Sequence, residues 1–92
     1  GATIAPYEGS LHGTPLAGHY SPAKDAVRRE VNRWIRRSGV FDAVVDMDAV
    51  LRDPSHPARL LPAYDSGDHL HPGDAGYQAM AQALDDGTLF GR

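Results

Sequence analysis

The sequence predicts an α/β fold in which two parallel strands are joined through a helix. Three observations carry this. A short apolar run, Ala2-Thr3-Ile4-Ala5, suits a buried strand; an amphipathic segment follows over residues 22–38; a second apolar run, FDAVVDM at 41–47, centres on Val44 and Val45. A strand–helix–strand unit of this kind sets its strands parallel through a right-handed crossover.

Pro6 ends the first run by removing an amide donor. Residues 6–20, PYEGSLHGTPLAGHY, then hold Gly9, Gly13, Pro15 and Gly18 with His12 and His19, and read as an irregular loop. A loop that long in a small domain is usually functional or mobile. Ser21 followed by Pro22 is a helix-start signal, the hydroxyl capping and the proline filling the first helical position. Val27, Val31, Trp34 and Ile35 recur at helical spacing and predict the core-facing stripe, with Trp34 in the core. Arg28, Arg29, Arg33, Arg36 and Arg37 fall mostly off it and read as a solvated outer face; Gly39 supplies the stop.

After the second strand a short helical turn is expected over MDAVL, with Asp46 and Asp48 as a strand-end acid and a turn cap. Residues 54–72, with Pro54, Pro57, Pro62 and Pro72, read as irregular. Tyr77, Met80, Ala81 and Leu84 then predict a final helix over 73–85 and its buried face. The tail, DGTLFGR, is expected to dock through Leu89 and Phe90 or to fray.

Composition narrows the function. Ninety-two residues, 41% of them hydrophobic, make one small domain or a piece of a larger one. A chain of this size buries about 60–70% of its unfolded surface, so its core is modest. A net charge of -3 gives no reason to expect nucleic acid or an anionic membrane, and no apolar run is long enough to span a bilayer. Without cysteine there is neither a disulfide framework nor a thiolate metal site. Two strands and two helices cannot cover both faces of a parallel sheet, and the chain enters at once on a buried run. We therefore expect a partial domain over residues 1–92, prone to self-association through its open edge and uncovered apolar faces.

The chemistry concentrates in DSGDHLHPGDAGY, residues 65–77. Asp68 and His71, three residues apart on a turn before a helix, suit a base and its orienter. A carboxylate that takes the imidazole Nδ1 proton leaves Nε2 free to accept one from a nucleophile. Pro72 restricts the backbone of His71. His69 is expected as a flanking residue at the mouth of the site.

DHLHP followed by DAGYQAM resembles the closing block of the SGNH, or GDSL-type, hydrolases, which carries Asp-x-x-His-Pro and then a Gly-Tyr pair opening the last helix. Upstream, GATIAPYEG is similar to that family's fourth-strand region, SPAKDAVRREVNRWIRRSG to the helix after it, and FDAVVDMDAVLRDP to the fifth strand and turn. The resemblance implies the C-terminal strand–helix–strand–helix part of a flavodoxin-like three-layer α/β/α hydrolase with a parallel sheet. It implies a serine ester hydrolase (an esterase or lipase-like acylhydrolase) with Asp68 orienting His71 as general base and no cofactor. The substrate would be a small acyl or carbohydrate ester, the partner the missing N-terminal part of the same domain, and secretion would fit. Gly73 departs from the family's usual Asn. The Gly-Asp-Ser nucleophile block and the oxyanion-hole Gly and Asn are absent from these residues, and Asp65-Ser66-Gly67 has the right letters in the wrong order. The chain alone is expected to be inactive.

Two other classes fit parts of the sequence. Asp65, Asp68, His69, His71 and Asp74 are metal-ligand types, although histidines at i, i+2 converge poorly unless extended. A non-catalytic interaction module is the third reading.

Overall fold

A computed structural model describes residues 1–85 of the chain, so the tail expected to dock or fray lies outside the described residues. Helix α1 spans Pro22–Arg37 and α2 Met47–Leu51; strands β1, Arg52–Asp53, and β2, His56–Leu60, follow; helix α3, Asp74–Asp85, closes the described chain. No helix among the described residues is long and apolar enough to cross a membrane.

The α/β class holds, but the sheet differs from the expected one. The two apolar runs meet at a single parallel bridge, Ala2 with Val45, and neither extends into a ladder. The one ladder among the described residues is the antiparallel hairpin β1–β2, with a bulge between Arg52 and Asp53. Its second strand lies inside residues 54–72, which the sequence reads as irregular. His-Pro-Ala-Arg-Leu has no β-branched or aromatic residue, and Pro57 is tolerated only because a two-stranded sheet is all edge. The first run stops growing for a visible reason. The Asn32 amide accepts from the Ile4 N–H at 2.7 Å and donates to the Ile4 carbonyl at 2.9 Å, taking the place of a third strand.

Helix α1 begins as its sequence dictates, the Ser21 hydroxyl accepting from the Lys24 amide at 3.1 Å. Its buried face matches the apolar stripe at Ile35 alone. Asp25, Arg28, Asn32 and Ile35 point inward, whereas Val27, Val31 and Trp34 are 63, 38 and 53% exposed. Trp34 is therefore no core residue; it packs edge-on against Phe41, ring centroids 5.8 Å apart. The inward face is polar because it carries a network. Arg28 donates to Asp25 at 2.8 Å, to Asp48 at 2.7 Å and to the Ile4 carbonyl at 3.1 Å, and Asp48 also accepts from Arg36 and Arg52. Buried charges persist only when paired in this way. Asp48 is thus a buried ion-pair hub rather than a simple turn cap.

Asp46 caps α2 by accepting from the Ala49 amide, and it also receives the Thr3 hydroxyl and two N–H groups of Arg36. Partial burial opposes its charge, yet Arg36, Ala49 and Thr3 together hold its pKa down to about 2. A depressed folded-state pKa means stability that is present above the ordinary carboxylate value of 3.8 and is lost as pH falls toward 2. The effect is about 2 kcal/mol unscreened and nearer ~1 kcal/mol at a one-third exposed group. Urea midpoints measured from pH 5 down to 2 should fall, and Asp46→Asn should flatten that fall.

Helix α3 also turns a different face inward from the one its sequence suggests. Gly76 and Ala83 are buried, while Tyr77 and Leu84 are about half exposed, a shift of one residue from the expected stripe. Gly76 sets the contact: a Cβ there would lie 2.6 Å from the Tyr64 carbonyl and 2.8 Å from Pro72 Cβ. Only glycine lets α3 approach this closely, and the approach fixes where the preceding turn sits.

Candidate active site

That turn is pinched at its base. Asp65 and Pro72 form an antiparallel bridge, with the Ser66 amide donating to the His71 carbonyl at 3.0 Å and the Gly73 amide to the Tyr64 carbonyl at 2.7 Å. Between these points each of two aspartates organises its own turn and its own imidazole. Asp65 Oδ1 accepts from the amides of Gly67 and His69, and its Oδ2 from His69 Nδ1 at 2.5 Å. Asp68 Oδ1 accepts from the amides of Leu70 and His71 at 2.9 and 2.8 Å, and its Oδ2 from His71 Nδ1 at 2.6 Å. Asx turns of this kind explain why two acids occupy so short a stretch.

The Asp68–His71 pair has the geometry that the sequence suggests. Hydrogen bonds from the His71 ring and from the His71 and Leu70 amides hold the Asp68 carboxyl well below the usual carboxylate range. An ionised carboxylate can only accept, so the proton of this bond resides on His71 Nδ1, and Nε2 takes no part in it. The ring is largely exposed. Among the described residues no hydroxyl is hydrogen-bonded to His71. Ser66 donates to Asp68 Oδ1 at 3.1 Å, so it serves the acid and not the base. Chemically, an exposed imidazole held at Nδ1 by a carboxylate can exchange a proton at Nε2.

The long loop at 6–20 buttresses this turn. The Leu11 amide donates to the Asp68 carbonyl at 2.7 Å, and the Glu8 amide ties the loop to Ala58 of β2. Glu8 also accepts from Arg59 and His56 at 2.5 Å. Burial opposes the Glu8 charge, but Arg59 and then His56 win and lower its pKa. Gly9, at φ +83°, comes so close to the His69 ring that a Cβ would sit 3.4 Å from it.

His69 flanks the pair, on a strained backbone. It holds a left-handed backbone, φ +61°, which a non-glycine residue keeps only under constraint, and Asp65 supplies that constraint. Its ring lines a cleft of about 270 Å³ with Glu8, Gly9, His12 and Arg59. The Asp65 pairing is local, at i, i+4, and the repeat of Asp-x-x-x-His beside Asp-x-x-His is the signal by which the sequence could have disclosed it.

The metal-ligand reading does not gather its residues. Asp65 and Asp68 each hold a different imidazole, Asp74 lies in the first turn of α3, and no group of three or more His, Asp or Glu residues converges among those described. On the other side of Leu70 lies an apolar groove of about 470 Å³, walled by Ile4, Tyr7, Val27, Val31 and Leu70, with His19 and Lys24 also lining it.

No individual curated protein matches the chain significantly. The profile of the family described as GDSL-like Lipase/Acylhydrolase matches residues 3–84, a span that takes in most of the first apolar run, the second run, α1, the hairpin, the Asp68–His71 turn and nearly all of α3. The chain belongs to the GDSL-like lipase/acylhydrolase family.

Proposed function

We propose that this chain supplies the His71 base and its Asp68 orienter to a Ser-His-Asp ester hydrolase of the SGNH type. A serine and an oxyanion hole borne by a segment outside these 92 residues would complete the site. The observation that supports this most directly is the 2.6 Å bond from His71 Nδ1 to Asp68, which leaves Nε2 unengaged on an exposed ring. In the reaction a serine hydroxyl gives its proton to Nε2 as its oxygen attacks the ester carbonyl. His71 then returns that proton to the leaving alcohol, and Asp68 stabilises the imidazolium between the two events.

The same reading accounts for the misplaced apolar stripe. Ile4, Val27 and Val31 wall a groove that ends at Leu70, the neighbour of His71. A serine-bearing segment of the same domain seated there would cover that face and arrive beside the base. Without it the chain is inactive, because triad members act as a unit.

Fluorophosphonate labelling read by intact mass tests this, on the present chain and on the longest product of its gene. One adduct on the longer protein and none on this chain is the expected result. Labelling of this chain alone would mean that its own residues hold the nucleophile. No label on either defeats the hydrolase reading, and dimers of this chain in light scattering would then favour a second copy as the occupant of the groove.

A further inference from the structure

The arginines of α1 gather beside the hairpin. Arg29, Arg33, Arg36 and Arg37 recur at i, i+4, i+7 and i+8, so they share one helix face. Together with the buried Arg28 and with Arg52 from β1 they line a cleft of about 220 Å³ between the helix and the hairpin. Six of the chain's nine Lys and Arg residues thus converge on one place in a molecule whose net charge is -3.

The carboxylates within reach do not balance them. Asp48 takes Arg28, Arg36 and Arg52; Asp25 takes Arg28 and Arg29; Asp46 takes Arg36; and Glu30 takes Arg33. Four acids therefore serve six guanidinium groups, and Arg37 has no carboxylate partner among the described residues. The remaining pairs divide by environment. Those of Arg28 are buried and fixed, whereas Arg29 and Arg33 are more than half exposed and their pairs are worth little. Each guanidinium offers five donors in a fixed fork that matches an oxyanion edge. Arg29, Arg33 and Arg37 keep most of theirs free, over a floor locked in position by Arg28, Asp48 and Arg52.

We propose that this cleft binds a small soluble oxyanion of charge two or more, a phosphate or sulfate group free or as an ester. The site is distinct from the Asp68–His71 turn and does not depend on it. An excess of two positive charges, on exposed guanidinium groups set along the rim of a buried ion-pair network, is what favours a doubly charged ligand over chloride.

The test uses the chain as it stands and sodium pyrophosphate as probe. Thermal unfolding is followed during a pyrophosphate titration, against sodium chloride at matched ionic strength. A saturable stabilisation by pyrophosphate alone is expected. Arg33→Gln with Arg37→Gln should weaken the apparent affinity at least tenfold while leaving circular dichroism unchanged, since neither residue joins the buried network. A shift equal to that in chloride, or one that survives in the double variant, overturns the proposal. Flotation with phosphatidylglycerol vesicles without any pyrophosphate response also overturns it, and makes the face a membrane contact instead.

Discussion

Replacing Arg28 with methionine is expected to destabilise the chain by about 3–5 kcal/mol, the cost of stranding buried acids. The guanidinium is 4% exposed and holds three separate parts of the chain: Asp25 of its own helix, Asp48 of α2, and the carbonyl of Ile4. Removing it leaves Asp48 with Arg36 and Arg52, but Asp25 with only Arg29 at 3.3 Å. Asp25 is therefore where most of the cost falls. A domain whose whole stability is about 5–15 kcal/mol cannot absorb this without a large loss of midpoint in urea. Arg28→Lys should fall between the two, because one ammonium keeps the charge but cannot span both acids and the carbonyl. Coupling Arg28→Met to Asp25→Leu should recover a good part of the loss, since the unpaired acid goes with its partner. A loss below about 1 kcal/mol for Arg28→Met, near the value of an exposed pair, would remove the network from any account of this fold.

The same network explains what the sequence discloses and what it hides. The limits of α1 are legible because Ser21-Pro22 and Gly39 act on their own neighbours. The Asp68–His71 pair is legible for the same reason: its members lie three positions apart, and the turn between them closes on the carboxylate itself. The buried face of α1 is not legible. Its choice rests on Ile4 and Asp48, 24 and 20 residues from Arg28, and a periodicity argument assigns Val27, Val31 and Trp34 to a core they do not enter. The face of α3 is misread by one residue because the decisive term is backbone contact at Gly76 and not side-chain hydrophobicity. The hairpin is hidden by a strand, HPARL, that lacks every compositional mark of one. The short list of elements points to uncovered apolar faces without saying which; Val27, Val31 and Trp34 of α1 are the exposed ones.

The proposed triad predicts that, in the full-length product of the gene, His71→Ala reduces kcat for ester hydrolysis by about 10⁴-fold or more, and Asp68→Asn by about 10³–10⁴-fold. The two losses have different origins, and the second is the more informative. Asparagine keeps an oxygen at the Oδ1 position, where the Leu70 and His71 amides and the Ser66 hydroxyl converge, so the turn and its cap survive. What changes is the other arm. Oδ2, which accepts from His71 Nδ1 at 2.6 Å, becomes an amide nitrogen that can only donate. The imidazole must then present its lone pair at Nδ1 and its proton at Nε2, the wrong tautomer for removing a proton from serine. Folding should be nearly unchanged and KM little affected, while kcat falls. Asp65→Asn provides the contrast. It makes the equivalent change one turn earlier, at His69, and should leave kcat within about tenfold, since only Asp68 orients the base. Equal losses from both aspartates would mean that the turn works as a rigid scaffold and that neither imidazole is singled out. A full loss from Asp65→Asn with none from Asp68→Asn would move the base from His71 to His69.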